Sequence, residues 1–256
     1  LICIILKLPY KINLYIHEQN SIIGRTNKFF LYFIDKLFLN FDIKSKINIK
    51  FKEKIFVVGY PENNSIALVN KKNKKIKNDF TIFISGGSQG SEFITNFATN
   101  LIKIIDDEKI IKAKFIFQCP KRMINKTKEK LRNINSNIFL KEFFINLDEI
   151  LIDTNLAICR AGAGTIVDLI NYKLPSILIP LPTSKDNHQF YNASILDKSK
   201  LGLVIDEKNG DLDRTKKYIY KIYNNPEKLK LINKEFDKIK VKNCNSLIYK
   251  LIVDDE

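Results

Sequence analysis

Short apolar runs rich in Ile, Val and Phe recur along this chain, each followed by a polar or glycine turn and then by residues at helical spacing. That rhythm is the signature of βαβ units and a parallel sheet. It predicts strands over Lys11–Ile16, Ile55–Val58, Phe80–Ser85, Lys114–Gln118, Asn137–Leu140, Leu156–Cys159, Ser176–Ile179 and Gly202–Ile205, with helices in most of the gaps. A helix over Phe29–Phe41, apolar on nearly all faces, reads as core packing. Beyond Asp211 the pattern is helical to the end, with Pro226 opening a helix where its missing N–H costs nothing.

Apolar content falls to scattered residues between Glu62 and Asp79, which divides the chain. Residues 80–240 form a complete αβ series, 63–79 a linker and 241–256 a C-terminal helix, while 1–62 supply only two strands and a helix. That is too little sheet to close a core, so the first stretch is expected to be the end of a domain whose front is absent.

Composition narrows the classes. With 256 residues, 45% hydrophobic and 11% aromatic, the chain is no disordered tail, collagen or disulfide scaffold. The formal charge is +15, but 38 of 43 basic residues are Lys, and Arg is the residue that reads and stacks on base edges. No nucleic-acid partner is expected; an AT-rich codon bias explains the surplus equally well, and Lys71–Lys75 reads as a solvated linker. Cys3, Cys119, Cys159 and Cys244 show no CxxC spacing, so a reducing compartment and no metal site are expected. No apolar run reaches the roughly 20 residues that cross a bilayer, and Leu1–Leu8 makes a poor signal peptide.

Four segments carry candidate chemistry. After the strand ending at Ser85 come Gly86, Gly87, Ser88, Gln89 and Gly90, then a helix: a turn that suits phosphate, or simply a glycine-capped bend. It is neither a Walker A loop nor a GxGxxG. After Cys159 come Arg160, Ala161, Gly162, Ala163, Gly164 and Thr165, then a helix over Thr165–Tyr172 with Asp168 in its first turn. A carboxylate there accepts two hydrogen bonds from ribose hydroxyls, or merely complements the helix N-terminus. The third segment, Pro180 to Ala193, holds His188 and Gln189 at the carboxyl edge of the sheet; a lone loop His is commonly a surface residue. The fourth is His17, Glu18, Gln19, Asn20 and Ser21, four or more polar residues after a strand, costly to bury without partners; Asn20 or Ser21 equally suits a helix N-cap.

Together these segments resemble the MurG family, bacterial N-acetylglucosaminyltransferases that complete the lipid-linked peptidoglycan precursor. His17–Asn20 with Gly24, Thr26, Asn27 and Lys28 is similar to the family's HEQN segment, and Gly86–Gly90 to its GGSQG loop. Cys159–Ala163 with Thr165 resembles CRAGA, and Pro180–Pro182 with Asp186, His188, Gln189, Asn192 and Ala193 resembles the PLP, DHQ and NA elements. The match runs in order from about Asn13 to about Ile205.

The resemblance implies an α/β, GT-B glycosyltransferase with a complete Rossmann-like donor domain and a partial acceptor domain. UDP-N-acetylglucosamine would be held by the former and the undecaprenyl-linked lipid I acceptor by the latter. Asn20 would face the donor sugar; Ser88 and Gln89 would hold diphosphate; Ile145 would hold uracil through its backbone. Ala163, Gly164, Thr165, Ile166, Val167 and Asp168 would cover phosphate and ribose, and His188 with Gln189 the N-acetylglucosamine. The family implies inverting displacement with no cofactor, at an anionic membrane surface on the cytoplasmic face of the bacterial inner membrane. Asp168 stands where the family has Glu, and Gly59, Tyr60, Pro61, Glu62, Asn63 where it has GNPVR. The family's glycine-rich loop with its proposed base His lies outside this sequence, leaving His17 as a candidate substitute, and donor binding without turnover is expected. Another UDP-sugar enzyme of the same fold, or a non-catalytic nucleotide-sugar-binding remnant, are the rival readings.

Overall fold

Two parallel sheets organise the chain in the computed structural model, which describes residues 12–61, 80–239 and 244–253. The first sheet holds β1 (Tyr15–Glu18), β2 (Lys36–Leu39) and β3 (Ile55–Val57), side by side in that order. The second holds β4 (Phe80–Ser85), β5 (Ala113–Gln118), β6 (Asn137–Lys141), β7 (Leu156–Cys159), β8 (Ser176–Leu178) and β9 (Gly202–Val204) in the order β6-β5-β4-β7-β8-β9. Every pairing is parallel. The order reverses between β4 and β7, which opens a crevice at their carboxyl ends.

The helices are α1 (Arg25–Phe30), α2 (Glu92–Asp107), α3 (Lys121–Lys130), α4 (Leu147–Ile152), α5 (Ala163–Asn171), α6 (His188–Lys198), α7 (Leu212–Tyr223), α8 (Pro226–Phe236) and α9 (Cys244–Val253). In α2, Ile94, Phe97, Ala98, Leu101, Ile102 and Ile105 are all buried, the i, i+3, i+4 stripe that fixes the helix against the sheet. Burying each of the larger side chains contributes about 1.5–3 kcal/mol.

The first sheet departs from expectation. The predicted helix Phe29–Phe41 is only the end of the short α1, and β2 occupies its second half. Asp35 enforces the change: its carboxylate accepts from the Leu14 amide at 2.7 Å and its own amide donates to the Leu14 carbonyl at 2.9 Å. A central strand covered on both faces has no polar alternation, and Leu37, Phe38 and Leu39 are all buried. Among the described residues the first unit therefore has three strands where two were expected. Lys11, the segment 63–79 with its lysine run, Asn63, Cys3 and Leu1–Leu8 lie outside the described residues.

The last helix returns to the beginning. α9 packs Leu247, Ile248, Leu251 and Ile252 around Phe38 and Val58 of the first sheet, and Lys36 Nζ caps the Leu251 carbonyl at 2.5 Å.

Candidate functional site

At the end of β4 the backbone bends through Gly87 and Gly90, both at positive φ (82° and 71°), with the Gly90 amide donating to the Gly87 carbonyl at 3.0 Å. Gly86 admits no side chain, because a Cβ there would lie 2.3 Å from the Ser91 nitrogen. Ser91 then caps α2, its hydroxyl accepting from the Ile94 amide at 3.2 Å. Ser88 and Gln89 sit exposed at the tip.

The second loop leaves the adjacent strand β7. Gly162 is the N-cap of α5 and supplies no side-chain cap, and among the described residues nothing accepts from the amides of Ala163, Gly164 or Thr165. Three orphan N–H groups at the positive end of a helix form an anion-receptive face.

Arg160 joins the two loops. Its side chain is nearly buried; Nη2 donates to Ser91 Oγ at 2.7 Å, while Nη1 donates to the Ile179 carbonyl at 3.0 Å and pairs with Glu207 at 2.5 Å. Gly87 also lies against it, a Cβ there falling 3.9 Å from Arg160 Cγ. One cation therefore holds the β4 turn, the β7 turn and the end of β8 in fixed relation.

The β8 loop closes the rim. Asp186 and Asn187 take left-handed conformations (φ 52° and 57°), so the chain turns abruptly into α6. His188 is the first residue of that helix, not a loop residue as expected, and its Nδ1 lies 2.7 Å from the Lys185 carbonyl. Gln189 Oε1 accepts from the amides of Leu181 (3.0 Å) and Ala161 (3.3 Å), leaving its side-chain N–H donors without an acceptor among the described residues.

Across the crevice, Glu18 is the hub of the first unit. Its buried carboxylate accepts from the Asn20 amide and side chain (3.0 and 3.2 Å), the Gly24 amide (2.8 Å) and Asn27 Nδ2 (2.8 Å). Much of the polar run after β1 is thus satisfied by its own chain, although the buried Ser21 Oγ has no partner among the described residues. Neither Asn20 nor Ser21 is the cap of α1; Gly24 is. Asn20 Oδ1 accepts from Asn192 Nδ2 at 3.1 Å, and fully buried Asn192 also binds the Ser21 amide (2.8 Å) and the Ala161 carbonyl (3.1 Å). Arg25 and Asp186 pair across the same seam at 2.5 Å. Asn20 and His188 line one cavity of about 240 Å³ there, whereas a larger one of about 670 Å³, around Asp106, Lys112 and Asn135, lies at the opposite edge of the sheet.

His17 Nε2 lies 2.8 Å from the Gly59 carbonyl, so that nitrogen carries the proton, and its buried Nδ1 has no partner among the described residues. Asp168 falls in the second turn of α5, because the helix begins at Ala163 rather than Thr165. Burial, with Asp148 nearby, pushes its carboxyl up to about 7. Ile166 and Val167 face the core, Ile145 is 90% exposed at the tip after β6, and burial followed by the Asp168 charge pushes the Cys159 thiol up to about 12.

Sequence reasoning gave no role to Arg160, Glu18, Asn192 or Tyr60. Arg160 alone left a trace: an Arg at the mouth of a small-residue loop, in a chain with only five, answers a geometric demand.

Comparison with known proteins fits this geometry. Residues 81–248 match the glycosyltransferase family 28 C-terminal domain. The chain is 32% identical over 229 residues to a Rickettsia bellii protein named UDP-N-acetylglucosamine–N-acetylmuramyl-(pentapeptide) pyrophosphoryl-undecaprenol N-acetylglucosamine transferase, covering 88% of this chain and 64% of that one. A Rickettsia canadensis protein of the same name is 36% identical over 204 residues, covering 78% and 57%. The chain thus spans roughly three-fifths of the length of these relatives. Among solved structures, Acinetobacter baumannii MurG superposes with a TM-score of 0.79 at 18% identity, covering 98% of this chain and 69% of the other. The kitacinnamycin glycosyltransferase gives 0.61 at 12% identity over 85% and 55%. The fold is that of GT-B glycosyltransferases.

Proposed function

Because the chain belongs to glycosyltransferase family 28, we propose that its crevice holds UDP-N-acetylglucosamine and that the whole protein transfers the sugar to undecaprenyl-pyrophosphoryl-N-acetylmuramyl-pentapeptide. The observation that carries this reading is the pair of glycine loops on adjacent strands β4 and β7, locked together by Arg160.

In this reading the diphosphate lies against the orphan amides of Ala163, Gly164 and Thr165 and the Ser88–Gln89 turn. Asp168 accepts from the ribose hydroxyls, and the backbone at Ile145 holds uracil. Asn20, His188 and the unspent N–H donors of Gln189 address the N-acetylglucosamine. The acceptor's C4 hydroxyl attacks the anomeric carbon from the face opposite UDP; the carbon–oxygen bond to the β-phosphate breaks, its electron pair stays with UDP, and the hydroxyl proton leaves the new glycosidic oxygen for water. Fixed amides at that oxygen stabilise the charge as it develops and need no reorganisation. His17 is assigned a scaffold role, since its Nε2 proton faces the Gly59 carbonyl and its Nδ1 is buried.

Membrane contact draws support from the first unit, where Phe29, Tyr32, Phe33 and Ile49 are exposed and Lys50 lies over the Tyr32 ring at 4.5 Å. An apolar patch edged by Lys suits a peripheral seat on anionic lipid at the cytoplasmic face. No helix among the described residues is long and apolar enough to cross a membrane.

Calorimetric titration of the chain with UDP, UDP-N-acetylglucosamine and UDP-glucose, with and without EDTA, tests the donor assignment. Binding that persists with chelator and favours the N-acetylglucosamine over the glucose nucleotide is expected. Failure to bind UDP would refute the reading.

A further inference from the structure

Tyr60 reaches from the first unit to the start of α5 in the second. A Cβ built on Gly164 would lie 3.2 Å from Tyr60 Oη and 3.6 Å from Cζ, so the phenol rests against the bare α-carbon of the helix's first turn. It lies along the direction a Gly164 side chain would take. The hydroxyl has no hydrogen-bond partner among the described residues, which leaves its proton unspent.

The backbone that delivers this ring is held firmly. Gly59 takes φ 94°, a conformation that a side chain would strain, and its amide donates to the Leu39 carbonyl at 3.1 Å. Its carbonyl receives His17 Nε2 at 2.8 Å and the Cys244 thiol at 3.4 Å. Strands β1 and β2 and helix α9 therefore converge on the residue that aims Tyr60.

We propose that the Tyr60 hydroxyl is a diphosphate ligand, a neutral donor that the first unit contributes to the anion held at the α5 N-terminus. This inference rests on the donor-site reading above and deepens it: a site assembled wholly from backbone amides of one unit gains a side-chain donor from the other. A phenol O–H beside three orphan N–H groups adds a hydrogen bond to a charged acceptor, which is stronger than a bond between neutral groups. The contribution vanishes for a ligand without phosphate.

The test compares the parent chain with Tyr60→Phe by calorimetric titration of UDP and of uridine, with thermal unfolding of both proteins alongside. The variant is expected to bind UDP about tenfold more weakly, to bind uridine unchanged, and to keep the parent's Tm, since the hydroxyl it loses has no protein partner. Equal UDP affinity in the two proteins would overturn the proposal while leaving the donor site standing, as would a matching loss for uridine. A parent chain that binds no UDP overturns the donor site itself, and this inference with it. Gly164→Ala adds a second readout, because the new methyl meets Oη at 3.2 Å but only Cζ at 3.6 Å once the oxygen is gone. The Ala change should therefore be better tolerated in the Phe background; identical effects in both backgrounds would place the ring elsewhere and overturn the proposal.

Discussion

Arg160 Nη2 and Ser91 Oγ, 69 residues apart in sequence, meet at 2.7 Å between the two glycine loops. The serine caps α2 while the arginine leaves the end of β7, so one hydrogen bond fixes the spacing of two helix N-termini. An anion that spans both loops needs that spacing set in advance, because ordering it on binding subtracts from affinity.

Arg160→Met is expected to leave Glu207 and Ser91 without their shared partner in a largely buried setting. Removing one member of such a pair costs about 3–5 kcal/mol, and UDP affinity should fall at least tenfold. Arg160→Lys keeps the charge but not the fork, and is expected to recover stability more than affinity. Thermal melts together with UDP titrations separate the two effects; a Lys variant with full affinity would show that the fork is dispensable.

In the proposed donor site, Asp168 is expected to make binding pH-dependent. Its carboxyl is pushed up to about 7 by burial and by Asp148, itself hydrogen-bonded to Tyr172 Oη at 2.6 Å, and only the ionised form accepts from both ribose hydroxyls. Affinity for UDP-N-acetylglucosamine, whose diphosphate does not titrate in this range, should climb from pH 6 to pH 8 and then level. Asp168→Asn should flatten the profile.

The stability of the unliganded chain moves the other way. The folded carboxyl holds its proton to about pH 7 while the unfolded one releases it near 3.8, so stability falls as pH rises between those values. Urea titrations across that range should show a slope that Asp168→Asn reduces; an unchanged slope would mean the carboxyl is not perturbed.

Asn192→Ala strips the acceptor from the buried Ser21 amide and the donors from Asn20 and the Ala161 carbonyl. Each orphaned group costs about 1–3 kcal/mol. The denaturation midpoint should fall, and proteolysis near Ser21 should quicken if Asn192 fastens the two units as its contacts indicate.

Glu18→Gln exchanges an acceptor-only carboxylate for an amide that must aim a donor at the Asn20 or Gly24 and Asn27 groups that now donate to it. A loss of about 1–3 kcal/mol is expected, with weaker discrimination among UDP sugars because Asn20 loses its anchor. Competition between UDP-glucose and UDP-N-acetylglucosamine reads the second effect.

The β4 and β7 turns were legible in sequence because glycines at a strand end declare a sharp bend, and two such bends in one parallel series imply a shared rim. Strand β2 was not, since a strand covered on both faces carries the same continuous apolar signal as a buried helix. Glu18 and Asn192 were invisible as organisers for another reason. Asn192 meets Asn20 across 172 residues, a range that no local pattern encodes, while the partners of Glu18 lie within nine residues of it but converge on its carboxylate only once the loop is folded. Tyr60 sits after a glycine whose positive φ only the fold reveals.

Helix α9 makes the first unit depend on the far end of the sequence. Its apolar face covers Phe38 and Val58, and the Lys36 cap on Leu251 fastens it there. A chain shortened before Cys244 would bare that surface to water, so the last described residues act as a missing piece of the first unit's core.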